Sequence, residues 1–85
     1  MSDVEIYTKA TCPFCIRAKR MLDMKNVDYR EIEISGDEEK RAEMIERSDG
    51  GRTVPQILIG GKAIGGCDEL FALERQGKLD AMLAD

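Results

Sequence analysis

The 85-residue chain has no histidine and no tryptophan. Without histidine the commonest general base and metal ligand is missing, which removes most hydrolase mechanisms. No apolar run approaches the roughly 20 residues that span a bilayer. The opening Met1-Ser2-Asp3-Val4-Glu5 has neither the basic flank nor the apolar stretch of a secretory signal, so the expected compartment is the cytoplasm. Positive charge is in deficit: 13 Lys and Arg against 17 Asp and Glu leave a net charge of −4. An acidic protein repels phosphate backbones and anionic lipid, so neither nucleic acid nor a membrane is an expected partner. Linkers, repeats and low-complexity tracts are also missing, and residues 1–85 are expected to form one monomeric domain. Cysteine is scarce and odd in number. Cys12, Cys15 and Cys67 do not suit a disulfide scaffold and point to redox or metal chemistry instead.

What is present reads as alternating elements. Val4, Ile6 and Thr8 alternate with Glu5 and Tyr7 as a first strand. Thr11-Cys12-Pro13 is a helix start, with proline where its missing N–H costs nothing. Cys15, Ala18, Met21 and Leu22 make one apolar stripe of a helix from Pro13 to about Lys25, leaving Arg17, Lys19 and Arg20 wet. Arg30, Ile32 and Ile34 fall on one face of a second strand. Ser35-Gly36-Asp37-Glu38 fits a capping box, predicting a second helix that ends near Asp49-Gly50-Gly51. Its apolar interior is thin, chiefly Ala42, Met44 and Ile45. Val54–Ile59 and Lys62–Ile64 flank Gly60-Gly61 as a hairpin. Leu70, Phe71 and Leu73 mark a third helix stopped by Gly77, and Leu79 to about Ala84 a fourth. The order β-α-β-α-β-β-α-α, with a right-handed βαβ unit and an antiparallel edge, predicts an α/β thioredoxin-like fold: a four-stranded mixed sheet flanked by helices.

Cys12-Pro13-Phe14-Cys15 carries the chemistry. Cysteines three apart at the head of a helix share a face, and a small adjustment closes them into a disulfide. Cys12 precedes the first turn, where free N–H groups and the positive helix end favour its thiolate; Lys9, Arg17 and Lys19 add positive charge. Cys15 lies on the apolar stripe. Cys12 is thus the expected nucleophile and Cys15 the resolving thiol. A packed, inert pair is the bland alternative. Zinc lacks a ligand set, since one C-x-x-C and a lone cysteine do not make four ligands.

Tyr7-Thr8-Lys9-Ala10-Thr11-Cys12-Pro13-Phe14-Cys15 resembles the active-site segment of dithiol glutaredoxins. Thr53-Val54-Pro55-Gln56 is similar to that family's cis-proline loop, and Gly65-Gly66-Cys67-Asp68 to its second glutathione-binding motif. The likeness runs from Val4 to Leu83 and is to the short bacterial glutaredoxin 3 type. It implies a glutathione-dependent thiol–disulfide oxidoreductase with glutathione as co-substrate, no tightly bound cofactor, and disulfide-bonded or glutathionylated proteins as partners. It further implies that Thr53 and Val54 pair with the ligand's cysteine portion beside a cis Pro55. Gly66, Cys67 and Asp68 would take the γ-glutamyl end, Lys9 and Arg41 the glycine carboxylate, and Phe14 would pack against the ligand. Phe14 stands where the family most often has Tyr, so a phenolic hydroxyl is lost. Cys67 reads either as a small buried hydrophobe or as a site of regulatory oxidation. Two rival functions stand beside this one. A [2Fe–2S] cluster bridging two chains through Cys12 is disfavoured by Pro13. A thioredoxin-like electron carrier is disfavoured by the missing Trp and by Gly66-Cys67-Asp68.

Overall fold

The computed structural model describes residues 2–84, and its elements follow the expected order. They are β1 (Val4–Thr8), α1 (Pro13–Met24), β2 (Tyr29–Glu33), α2 (Glu38–Arg47), β3 (Gln56–Ile59), β4 (Lys62–Gly65), α3 (Cys67–Arg75) and α4 (Leu79–Ala84). The sheet order is β2-β1-β3-β4, with β1 parallel to β2 and the other pairings antiparallel. The helix α1 is the crossover that lets the neighbouring strands β1 and β2 run parallel, and β3 and β4 can be antiparallel neighbours because Gly60 and Gly61 (φ +61° and +79°) make a two-residue turn between them.

β1 is central, and all five of its residues are buried. Apolar residues of both faces have partners. Val4 and Ile6 join Ala18, Met21 and Leu22 of α1, Leu70 of α3, and Leu79 and Leu83 of α4. Tyr7 and Leu58 pack on the other face with Ile34 and Met44, and with Val54 at the margin. The α1 stripe is as the spacing predicts: Cys15, Ala18, Met21 and Leu22 are its buried residues. Lys25, capping α1, reaches Glu74 of α3 and Asp80 of α4 at 2.8 Å each and ties three helices at one corner.

Three expectations need correction. The capping box at Ser35–Glu38 does not form. Gly36 (φ +70°) turns the chain first, and Asp37 caps α2, its Oδ1 accepting the Lys40 N–H at 3.0 Å. Ser35 is spent elsewhere: its Oγ accepts the Ala10 N–H at 2.9 Å. Ala42 is exposed, not interior, and Met44 is the one residue of α2 that is fully buried. The strand expected from Val54 starts at Gln56, because Pro55 has no N–H to give to the ladder.

Thin apolar cover on α2 is offset by a polar seat. Arg47 donates to both carboxylate oxygens of Glu5, at 2.6 and 2.9 Å, and to the Tyr7 hydroxyl at 2.9 Å. Tyr7 in turn donates to Glu43, and Arg30 pairs with Glu5 from β2. Glu5 and Tyr7 alternate with the apolar Val4 and Ile6 along β1, so strand periodicity places both on the α2 side.

Candidate active site

The site begins where β1 ends. Thr8 is held twice: its carbonyl accepts the Ile34 N–H at 2.8 Å, and its hydroxyl donates to Glu31 at 2.7 Å. The same Glu31 oxygen accepts from Lys19 of α1 at 3.0 Å, so β1, β2 and α1 are joined at the base of the loop 9–12. Hydrogen bonds from Thr8 and Lys19 hold the Glu31 carboxyl below its ordinary range against the opposing effect of burial. Ser35 fixes the loop's midpoint through Ala10. The loop therefore delivers Cys12 to the head of α1 along a supported path.

Cys12 is the N-cap of α1, with extended backbone (φ −139°, ψ 100°) that aims its side chain back over the first turn. Its Sγ accepts the Cys15 N–H at 3.1 Å. That is one of the orphan donors of a helix start, turned on a sulfur. Cys12 and Cys15 form a disulfide with Cα atoms 5.1 Å apart, inside the range a bridge needs without backbone movement. Cys12 is 8% exposed and Cys15 1%, so the outer sulfur is the reachable one, as its position before the helix predicts.

Beside the disulfide lies an open cleft of about 420 Å³ lined by Phe14, Thr53, Val54, Pro55, Gly66, Cys67, Asp68 and Glu69. Seven of the residues picked from the sequence thus meet at one place, on three segments far apart in the chain. The Val54–Pro55 bond is cis, and the Val54 carbonyl oxygen lies 3.8 Å from Cys12 Sγ. Gln56 donates to the Thr53 carbonyl at 2.9 Å and closes the loop behind the proline. Lys9 and Arg41 do not line this cleft; Lys9 is exposed in its loop and Arg41 is half-buried on α2. Cys67 is buried, and that burial pushes its thiol up, with Arg17 pulling the other way. A wider cleft of about 510 Å³, bordered by Asp3, Asn26 and Arg30, lies at the opposite end of β1 and holds no cysteine.

Glu69 is the lining residue that sequence reading missed. Its Oε1 accepts the Gly66 N–H at 2.6 Å, which is half of a capping box. Gly66 has no side chain to complete the box, so the usual S-x-x-E signal is absent. Gly66 also marks a close approach: a Cβ there would stand 3.0 Å from the Pro55 carbonyl oxygen. Gly66→Ala is expected to displace the proline loop against α3. Turnover would fall more than stability, and a crystal structure of the variant would show whether the Pro55 carbonyl has moved.

Residues 4–64 match the family model for glutaredoxin. The chain is 55% identical over 83 residues to glutaredoxin 3 of Escherichia coli strain K12, covering 98% of this chain and 99% of that one. The chain belongs to the glutaredoxin family. Among solved structures, the glutaredoxin of Brucella melitensis superposes with a TM-score of 0.84 at 53% identity, over 98% of this chain and 89% of that one. A buckwheat glutaredoxin in complex with glutathione superposes with a TM-score of 0.87 at 35% identity, over 98% and 77%. This glutaredoxin is accordingly a glutathione-dependent thiol–disulfide oxidoreductase, and Cys12-Pro13-Phe14-Cys15 is its redox-active segment. Among the described residues no helix is long and apolar enough to cross a membrane.

Proposed function

We propose that the cleft beside Cys12 holds glutathione along the Val54–Pro55 loop, and that the protein clears disulfides and glutathione mixed disulfides from cytoplasmic proteins as a one-domain monomer. The juxtaposition of the Cys12 sulfur with the Val54 backbone and the start of α3 carries this reading. Val54 offers an unladdered backbone edge to an extended tripeptide, the usual β-type recognition. The first N–H groups of α3 suit the γ-glutamyl carboxylate, and Asp68, exposed at the cleft, suits its ammonium. Phe14, 53% exposed, offers an apolar wall. Lys9 and Arg41 would meet the glycine carboxylate only at the outer rim.

The cycle follows from the two sulfurs. In the reduced protein the Cys12 thiolate attacks a protein–glutathione disulfide, the protein thiolate leaves, and Cys12 carries the glutathionyl group. A second glutathione thiolate attacks the glutathionyl sulfur, releasing glutathione disulfide and restoring Cys12. With a protein disulfide, Cys12 forms a mixed disulfide that Cys15 displaces, giving the oxidised pair seen here; two glutathiones then reduce it.

Asp68→Asn is expected to raise the KM for glutathione roughly fivefold, the worth of one exposed charge contact, with little change in kcat. A glutathione-coupled assay on a small mixed disulfide measures both constants. An unchanged KM would remove Asp68 from the binding site. Turnover driven by thioredoxin reductase but not by glutathione would overturn the reading as a whole.

A further inference from the structure

Among the described residues, the large apolar side chains that stand exposed are Phe14 (53%), Ile16 (46%) and Met24 (79%), and all of them lie on α1. Ile16, Arg20 and Met24 follow at i, i+4 and i+8, so they form one ridge on the outer side of the helix. The stripe of Cys15, Ala18, Met21 and Leu22 faces inward. The ridge has its own electrostatics. α1 bears Arg17, Lys19 and Arg20 and one acid, Asp23, in a chain of net charge −4. Lys19 is neutralised by Glu31. Asp23 is exposed at the edge of this face, toward Tyr29 of β2. Arg17 lies over the Phe71 ring at 5.2 Å, and neither it nor Arg20 forms an ion pair among the described residues.

An apolar and cationic face on an acidic protein, starting one turn from the nucleophile, has the character of a recognition surface. Ile16 is tied to the sulfur's own residue, its N–H donating to the Cys12 carbonyl at 3.1 Å. From Cys12 to Met24 the helix rises about 18 Å, the reach of about five or six extended residues. We propose that this outer face of α1 docks protein substrates, and that its occupant is an acidic segment with interspersed apolar side chains next to the cysteine being released. Charge complementarity chooses that occupant: Arg20 stands at the centre of the ridge with no ion pair among the described residues, Arg17 adds positive charge from the side of the helix toward α3, and the apolar ends of the ridge take aliphatic side chains. None of Ile16, Arg20 and Met24 lines the glutathione cleft, so both can be filled at once. The inference rests on the reading that glutathionylated proteins are substrates.

The test uses two glutathionylated peptides alike except for Glu-Leu-Asp or Lys-Leu-Lys beside the cysteine, with a small glutathione mixed disulfide as reference. The wild type should show a KM roughly tenfold lower for the acidic peptide, a difference that shrinks in 0.5 M salt. Arg20→Glu should abolish or reverse this preference, and Met24→Gln should weaken binding of both peptides. Neither variant should change turnover of the small substrate. Equal KM values for the two peptides, or an Arg20→Glu effect of the same size on the small substrate, would overturn the docking proposal. So would a concentration-dependent dimer in sedimentation that Met24→Gln dissolves, since the face would then belong to a second copy. No glutathione-driven turnover of the small mixed disulfide by wild type would instead refute the underlying function, and the docking surface with it.

Discussion

Cys12→Ser is expected to abolish both reduction of protein disulfides and removal of glutathione from proteins, while Cys15→Ser should lose the first and keep the second. The loss at Cys12 is expected to exceed about a thousandfold, more than about 4 kcal/mol of barrier, because a serine hydroxyl is not ionised near neutral pH. The asymmetry lies in the backbone. Cys12 sits before the first turn with the Cys15 N–H directed at its sulfur, so its anion is met by a helix-start amide once the bridge is reduced. Cys15 is sealed at 1% exposure and can reach only its neighbour. Cys15→Ser keeps the main-chain N–H, so the thiolate at Cys12 keeps its support. Cys67 supplies an internal control: burial holds its thiol above the ordinary range, so it stays protonated and slow. Alkylation of the reduced protein at pH 7 should therefore mark Cys12 well ahead of Cys67, read by peptide mass. Equal damage from the two serine variants, or labelling of Cys67 ahead of Cys12, would reverse the assigned roles.

The chemistry was more legible than the surface that carries it. Cys12-Pro13-Phe14-Cys15 announces its own geometry, because three-residue spacing, a helix-start proline and an apolar stripe are all local signals. The cleft was legible only through resemblance, since no local rule brings Val54 and Asp68 to the same sulfur. Ser35 misled because its spacing to Glu38 fits a capping box; a tertiary partner, the Ala10 N–H, competes for the same hydroxyl and wins. Glu69 was hidden for the converse reason: it makes half of that motif with a glycine, which no side-chain pattern registers. Ala42 was placed inside because α2 has so few apolar residues to choose from. Beyond Met44, α2 is tied to Glu5 and Tyr7 of β1 through Arg47 and Glu43, and pairing across 42 residues leaves no trace in periodicity.

Arg47→Met should cost about 2–3 kcal/mol, which in a domain of this size lowers Tm by about 10–20 °C. Glu5 is 7% exposed, and without Arg47 its carboxylate keeps only Arg30, so a nearly buried charge is left half-compensated. The Tyr7 hydroxyl loses a donor at the same time. Glu5→Gln should cost less, because an amide in that place needs no counter-charge. In a double-mutant cycle the Glu5–Arg47 pair should therefore show a coupling of about 1–2 kcal/mol. The pH dependence has a definite sign. The Arg47 hydrogen bonds hold the Glu5 carboxyl below its ordinary 4.5, outweighing the rise from burial. A lowered carboxyl stabilises the fold above 4.5 and loses that contribution as pH falls through its folded value. The Tyr7 hydroxyl is raised above its ordinary 10.0, first by burial and then by its bond to Glu43, so its contribution is present below 10 and is lost as pH climbs past it. The α2 seat is thus strongest between those limits. Glu31, also lowered, adds an acid-side loss of the same sign, so Glu5→Gln should flatten the acid limb without erasing it. Thermal melts of wild type and both variants from pH 3 to pH 11 measure this directly. Additive losses in the cycle, or an acid limb equally steep in Glu5→Gln, would show that α2 is held by Met44 and its apolar neighbours instead.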